Sequence, residues 1–131
     1  VVLVNEGSAS ASEIVSGAIR DNQRGKLVGK KTFGKGLVQS MRALVDGSGL
    51  TVTVAKYLTP NGTDINKFGI TPDLEINMNS NILLQKEIGT KKDKQYRAGE
   101  NLLINLIKVK GSFSSYDPKS SNLYAALKKS D

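Results

Sequence analysis

The sequence predicts an α/β fold followed by a mostly helical C-terminal tail. The apolar run Val1–Val4 leads through a turn of small residues into a stretch with helical spacing, which is the pattern of a buried strand followed by a helix. Leu37–Leu44 and Leu50–Leu58 then have the character of two hairpin strands. Helical spacing returns after residue 100. We therefore expect an α/β core over residues 1–78 and a basic, helical extension over residues 79–131.

The first helix is expected to run from about Ala11 to Arg24, with Gly25 as its C-cap. A short strand, Lys26–Gly29, and a basic glycine-punctuated loop, Gly29–Gly36, follow. The helix is predicted from apolar residues that repeat at the intervals of one helical face, namely Ala11, Ile14, Val15, Ala18 and Ile19.

The hairpin is expected to turn through Asp46-Gly47-Ser48-Gly49, because Asp-Gly is a strong turn signal between two strands. In its second strand Leu50, Val52 and Val54 alternate with Thr51, Thr53 and Ala55. Side chains of a strand point to opposite faces in turn, so this alternation predicts one apolar face.

The tail is expected to hold two helices joined by a polar linker. The linker covers Gly111–Ser121, the last short helix covers Ser121–Lys129, and Asn79–Lys92 stays ambiguous. The first tail helix begins near Asp93 and is marked by Leu102, Leu103, Leu106 and Ile107.

Composition excludes several classes of protein. No apolar run is long enough to span a membrane, and cysteine is absent, which removes disulfides and thiolate chemistry. The net charge of +7 is concentrated in residues 79–131, with ten Lys/Arg against five Asp/Glu. A basic tail can bind nucleic acid or an anionic membrane, but a solvated helical face is the simpler interpretation. Aromatic residues, at 5%, are too sparse to stack bases, so we predict no nucleic-acid partner.

Three serines, Ser8, Ser10 and Ser12, lie where the first strand turns into the first helix. The free N–H groups of a first helical turn stabilise negative charge, as an acyl-transfer intermediate requires. A serine nucleophile also needs a base, and the chain contains no histidine. Ser-His-Asp chemistry within this chain is therefore excluded, and lysine becomes the leading candidate base.

The chain resembles the carboxyl-terminal processing proteases, also called tail-specific proteases. The resemblance covers residues 1 to about 76 and implies a crotonase-like protease core, in which we expect Val1–Val4 and Leu50–Leu58 to share one sheet. It rests on motifs in the family's order, namely NEGSASASE at Asn5–Glu13, KTFGKGLVQS at Lys31–Ser40, DGS at Asp46–Ser48, AKYLTPNG at Ala55–Gly62 and GITPD at Gly69–Asp73.

The resemblance implies that Ser10 is the nucleophile and Lys35 its neutral general base, oriented by Gln39. A catalytic lysine must lose its proton, and burial in an apolar pocket favours the neutral form. Phe33 and Leu37, beside Lys35, are expected to help form such a pocket. The simpler interpretations are a solvated lysine in a glycine loop and a strand glutamine that faces solvent.

Three further residues take roles by the same resemblance. The backbone N–H of Ala11 is the expected oxyanion donor, and Glu13 and Asp21 are possible supporting residues. Ser10 and Glu13 also fit a capping box, in which the Glu13 side chain accepts a hydrogen bond from the Ser10 backbone N–H. Capping the helix and acting as the nucleophile are compatible roles for Ser10. Asp21 is otherwise a solvated carboxylate on the helix. Ser8 and Ser12 are interpreted as structural.

The resemblance implies an ATP-independent serine endopeptidase that cleaves near the apolar C-termini of protein substrates. Relatives of this kind work in the periplasm, the cell envelope or the thylakoid lumen. The family's PDZ domain and second oxyanion donor lie upstream of these motifs, so the chain is expected to be a catalytic-domain fragment that is inactive alone. No signal peptide is visible before the strand at Val1.

Other functions explain the same residues less well. Gly29–Gly36 differs from a phosphate-binding P-loop because Gly36 replaces the Ser or Thr that binds magnesium. No His or Cys ligands are present and the carboxylates do not converge, so no metal or cofactor is predicted. The serious alternative is a non-catalytic ligand-binding or carrier module of the same fold. Retention of both Ser10 and Lys35 favours the enzyme.

Overall fold

A computed structural model describes residues 1–77 and 87–110. The predicted linker Gly111–Ser121, the predicted last helix Ser121–Lys129 and most of the ambiguous segment Asn79–Lys92 lie outside these ranges. No helix in the described ranges is long and apolar enough to cross a membrane. In chain order the elements are β1 (Val2–Val4), α1 (Ala11–Asp21), β2 (Leu27–Gly29), β3 (Leu37–Ala43), β4 (Gly49–Lys56), β5 (Leu74–Glu75) and α2 (Lys94–Lys110).

The strands β1, β2 and β5 form a parallel three-stranded sheet in the order β1-β2-β5. Two parallel neighbours need a crossover, and α1 supplies it between β1 and β2. Asp73 secures the other pair, because its carboxylate accepts hydrogen bonds from Leu27 N at 2.8 Å and Lys26 Nζ at 3.1 Å. The buried apolar core beside this sheet consists of Val4, Leu27, Ile65 and Ile70. The predicted strand–helix–strand order is confirmed.

The helix α1 ends three residues earlier than its sequence predicts. Gln23 has φ 55°, Gln23 N donates to Arg20 O at 2.9 Å, and Arg24 N donates to Ile19 O at 2.9 Å. This pair of bonds is the Schellman arrangement, in which one left-handed residue closes the helix. Gly25 as the C-cap was therefore wrong, because Gln23 takes the left-handed conformation that glycine usually supplies.

The strands β3 and β4 form a separate antiparallel hairpin. Its predicted turn is confirmed, since Asp46 Oδ1 accepts from Ser48 N at 3.0 Å and Gly47 has φ 84°. The expectation of one sheet for the first strand and β4 was wrong within the described residues, because β4 pairs with β3 and β1 pairs with β2. The apolar face of β4 is exposed rather than packed on the core.

The helix α2 begins where the sequence predicts. Asp93 is buried and its Oδ1 accepts hydrogen bonds from Gln95 N at 2.9 Å and Tyr96 N at 3.2 Å, as an N-cap aspartate does. Gln95 Nε2 donates to Ile76 O at 2.8 Å, just after β5. Gly99 faces β1, where an added Cβ would lie 2.8 Å from Leu3 Cδ2. The helix α2 therefore packs on the parallel sheet, while the division at residue 78 stays a prediction.

Candidate functional site

The turn between β1 and α1 is closed by its own polar groups. Ser8 Oγ accepts from Asn5 N at 3.1 Å, and Asn5 Oδ1 accepts from Gly7 N at 2.9 Å. Ser8 O accepts from Phe33 N at 2.9 Å, which joins this turn to the lysine loop. These bonds support the structural interpretation of Ser8. Ser12 is exposed, and its carbonyl accepts from Ser16 Oγ at 2.6 Å.

Ser10 is the N-cap residue of α1 and has a strained backbone, with φ 56° and ψ −118°. A non-glycine residue with positive φ costs of order 1–3 kcal/mol and persists only where surrounding contacts hold it. The contact that holds Ser10 comes from α1 itself, because Ser10 N donates to Glu13 Oε2 at 2.9 Å. The glutamate half of the predicted capping box is therefore present.

Glu13 is fully buried and accepts four hydrogen bonds. Its oxygen Oε2 binds both Ser10 N and Lys35 N, so these two amide nitrogens lie closer together than the sum of the two bond lengths. The four donors are Thr32 Oγ1 at 2.5 Å, Gly34 N at 2.7 Å, Lys35 N at 2.8 Å and Ser10 N at 2.9 Å. This one carboxylate joins the serine turn to the lysine loop.

The Glu13 carboxyl is stabilised in its ionised form. Burial by itself raises its pKa, but its four hydrogen bonds, that from the Thr32 hydroxyl foremost, together hold the pKa below its ordinary value. Thr32 is fixed in turn, because its Oγ1 accepts from Ile70 N at 2.7 Å. Thr32 is the site residue that sequence reasoning missed. Its one signal is the alternation along residues 31–37, in which every even position, 32, 34 and 36, is threonine or glycine.

Two glycines allow the lysine loop to lie this close to its neighbours. Gly34 has φ 91°, and an added Cβ would lie 2.8 Å from Gly69 N. A Cβ on Gly36 would lie 2.7 Å from Asn66 N. Side chains at either position would push the loop away from the segment 65–69.

The structure corrects one expectation about Lys35. Its side chain is exposed, and so are its neighbours Phe33 (64% exposed) and Leu37 (38% exposed). These two residues therefore form no apolar pocket around the amine within the described part of the chain. The physical reason is the extended loop, in which residues 33, 35 and 37 all point away from the core while residues 32, 34 and 36 are buried.

Gln39 lies on β3 immediately after a bulge between Val38 and Gln39, opposite Thr53. A bulge bends its strand locally, and direct contact between Lys35 and Gln39 requires such a bend. Gln39 is exposed, and within the described residues no hydrogen bond joins its side chain to Lys35. Its orienting role stays a prediction.

Asp21 is not a solvated carboxylate, and that interpretation was wrong. Its side chain is 2% exposed, pairs with Arg20 at 3.0 Å and accepts from Asn61 N at 3.1 Å. Burial by itself raises the pKa of Asp21, but hydrogen bonds from the Thr59 side chain, Asn61 and Arg20 outweigh it and lower the pKa overall. Asp21 therefore fastens the turn Thr59–Asn61 to the end of α1.

The described residues contain no group of three or more His, Cys, Asp or Glu side chains that could hold a metal ion. Ala11 is the first residue of α1, so its backbone N–H is one of the donors that have no partner inside the helix. The site thus comprises a strained serine at a helix N-terminus, a lysine on an adjacent loop, and the buried Glu13 carboxylate that binds the backbone of both.

The chain is similar to known peptidases in both sequence and structure. Residues 1–76 match Peptidase family S41, and the chain belongs to this family. The structure aligns with the photosystem II D1 C-terminal processing protease at TM-score 0.56 and 56% identity, covering 58% of this chain and 20% of that one. It also aligns with the tricorn protease at TM-score 0.54 and 28% identity, covering 79% of this chain and 10% of that one.

The curated relatives are proteases of C-terminal processing. A carboxyl-terminal-processing protease of Synechocystis sp. is 51% identical over 115 residues, which cover 88% of this chain and 26% of the relative. A chloroplastic C-terminal processing peptidase of Tetradesmus obliquus is 58% identical over 76 residues, covering 58% of this chain and 16% of the relative. The chain thus spans about a quarter or less of the length of these relatives.

Replacing the buried Glu13 carboxylate should lower the stability of the fold. In Glu13→Gln one acceptor oxygen remains, and wherever the amide NH₂ group lies it faces at least one backbone N–H donor, so at least one hydrogen bond is lost. We expect each buried donor left without an acceptor to lower the free energy of unfolding by about 1–3 kcal/mol. Urea denaturation at pH 7, followed by circular dichroism, measures this change. The exposed Glu6 provides the matched control Glu6→Gln, and equal stabilities of the two variants would contradict the role of Glu13.

Acid should destabilise the fold in a window set by Glu13 and Asp21. Both pKa values are lower in the folded chain than their ordinary values of 4.5 and 3.8, so the unfolded chain binds protons first on acidification. The stability that these two ionised carboxylates contribute is therefore fully present at pH values above their ordinary pKa values, and it is lost as the pH falls through their folded-state pKa values. Urea denaturation at a series of pH values from 7 to 3, expressed as the free energy of unfolding, tests this. A free energy that rises on acidification below the ordinary values would contradict it.

Proposed function

We propose that this chain is the nucleophile-and-lysine portion of a longer serine endopeptidase that cleaves near the C-termini of protein substrates. The observation that carries the proposal is the Glu13 carboxylate, whose Oε2 binds the backbone N–H groups of both Ser10 and Lys35. A shared anchor of this kind keeps a nucleophile and its base at one separation, which is what a two-residue catalytic site needs.

The reaction uses Ser10 and Lys35 in two stages. Neutral Lys35 takes the proton of Ser10 Oγ as that oxygen attacks the substrate carbonyl, and the resulting oxyanion accepts a hydrogen bond from Ala11 N–H. Lys35 then gives the proton to the leaving amine, so the C–N bond breaks and an acyl-Ser10 ester forms. Water, deprotonated by Lys35, hydrolyses the ester and restores Ser10.

The backbone of Ser10 supports its role as nucleophile. A strained strand-to-helix turn exposes the nucleophilic serine of other hydrolases and places the N–H of the following residue beside the developing oxyanion. Here Ser10 follows β1, has positive φ and precedes Ala11 at the positive end of α1. This supports assigning the nucleophile to Ser10 rather than to Ser8 or Ser12.

The rest of the proposed enzyme completes the site. Lys35 needs an apolar cover to lose its proton, and the second oxyanion donor must also come from outside this chain. We assign both to the upstream part of a crotonase-like catalytic domain, together with a PDZ domain and a preference for apolar C-termini. Chloroplastic relatives and the Synechocystis relative support a thylakoid lumen or periplasmic setting. A carrier function is less well supported, because it gives no role to a carboxylate that anchors both Ser10 and Lys35.

In the full-length enzyme, Ser10→Ala and Lys35→Ala should each reduce kcat by about 10⁴-fold or more, because the nucleophile and its base act together and neither works without the other. Lys35→Arg should fail as well, since arginine stays charged. Gln39→Ala should reduce kcat if Gln39 orients the lysine. Peptide cleavage, with circular dichroism to check folding, measures these effects.

Ser8→Ala and Ser12→Ala are the matched controls for that series and should retain substantial activity. Cleavage at the wild-type rate by folded Lys35→Ala would show that the base is another residue.

The isolated chain of 131 residues should cleave peptides far more slowly than the full-length enzyme. Loss of one oxyanion donor alone costs roughly 100–1,000-fold in turnover, and the substrate-binding domain is lost as well. A fluorogenic peptide with an apolar C-terminus, assayed with both proteins at equal concentration, measures the ratio. Comparable rates would show that residues 1–131 hold the whole active site.

A further inference from the structure

Three aliphatic side chains of α2 lie outside the apolar core. Leu102 is buried at 2% exposure, but Leu103 (43%), Ile104 (42%) and Ile107 (60%) are exposed. An α-helix turns about 100° per residue, so these three side chains lie within about 100° of one another around the helix axis. They form an aliphatic stripe next to the side of α2 that packs on the parallel sheet.

A basic stripe lies directly beside the aliphatic stripe. Lys94, Arg97 and Lys108 are exposed, and helical geometry places them within about 80° of its edge. Among the residues that the structure describes, none of these three cations forms an ion pair. Their charges are therefore available to an anionic partner.

The charge of α2 is strongly one-sided. Its sequence contains four Lys/Arg residues and one acidic residue, Glu100. Glu100 is exposed and lies one helical turn before Leu103 and Ile104, at the end of the aliphatic stripe. An anionic partner would thus meet the basic stripe with one opposing charge at its border.

A lipid surface fits these two stripes better than a protein does. Three partly exposed side chains provide far less than the roughly 800 Å² per partner that a stable protein interface buries. Leu103 and Ile107 are only about 6 Å apart along the axis of a convex helix. A bilayer adapts to such a surface, because aliphatic side chains enter its headgroup boundary while neighbouring Lys and Arg contact anionic lipids.

We propose that this side of α2 binds the surface of an anionic lipid bilayer. The aliphatic stripe enters the headgroup region, and the basic stripe contacts the lipid phosphates. Only the setting is taken from the proposed function, since membranes bound both the thylakoid lumen and the periplasm. The binding itself needs neither Ser10 nor Lys35, so loss of catalysis in Ser10→Ala would leave it unchanged.

Sedimentation of the full-length protein with lipid vesicles tests this binding. One set of vesicles contains phosphatidylglycerol and phosphatidylcholine in equal parts, and the other contains phosphatidylcholine alone. We expect binding to the anionic vesicles that weakens as the ionic strength rises. Arg97→Gln and Lys108→Gln should each weaken it about fivefold, because each removes one charge near the lipid surface. Ile107→Ser should weaken it about tenfold, because an aliphatic side chain no longer enters the bilayer.

Glu100→Gln separates membrane binding from damage to the helix. It removes the opposing negative charge and should strengthen binding to the anionic vesicles about fivefold, which a loss of structure would not do. Arg24→Gln and Val45→Ser are the matched controls, because they replace an exposed cation and an exposed apolar residue outside α2. Both should bind like the parent, with circular dichroism unchanged in every variant.

The opposite effects of Glu100→Gln and Arg97→Gln, with parental binding by both controls, support the proposal. Absence of binding to anionic vesicles overturns it and would mean that another part of the full-length protein covers the stripes. Binding that all the α2 variants leave unchanged overturns it as well. Equal, salt-independent binding to both kinds of vesicle would also overturn it, because the basic stripe would then have no role.

Discussion

The site depends on one buried negative charge, the carboxylate of Glu13. An unpaired buried carboxylate would be very costly, so its four donors must all be in place when the chain folds. Two of those donors are the backbone amides of Ser10 and Lys35, residues 25 positions apart in the sequence. The folding requirement of one side chain thereby sets the geometry of the proposed dyad, and it also stabilises the positive φ of Ser10.

A second buried carboxylate, Asp21, acts at the other end of α1. Glu13 joins the start of the helix to the lysine loop, while Asp21 joins its end to the Thr59–Asn61 turn. The helix is therefore anchored to two different loops. The hairpin of β3 and β4 contrasts with this region, because its apolar side chains are exposed and an isolated two-stranded hairpin is marginally stable in water.

Local signals predicted the elements well where the cause of the structure is itself local. The turn at Asp46–Gly49 follows from side-chain and glycine chemistry within four residues, and the start of α2 follows from the capping aspartate Asp93. The end of α1 was misplaced because Gln23 takes the left-handed conformation, which residue preferences assign to Gly25. The hairpin pairing of β3 with β4 was predicted correctly, but the expectation that β4 shares a sheet with β1 was wrong, because alternation shows that a strand has two faces but not which sheet it joins.

The sequence by itself determined the chemistry that is available: serines at a helix start, no histidine, and one lysine between two glycines. It also placed the strand, the helix and the hairpin in order, because periodicity and turn residues act over a few neighbours. Only the tertiary structure decided that Glu13 binds Thr32 and both loop amides, that Asp21 is buried, and that Phe33 and Leu37 are exposed. The physical reason is that burial and hydrogen-bond partners depend on contacts between distant segments, which spacing along the chain does not record.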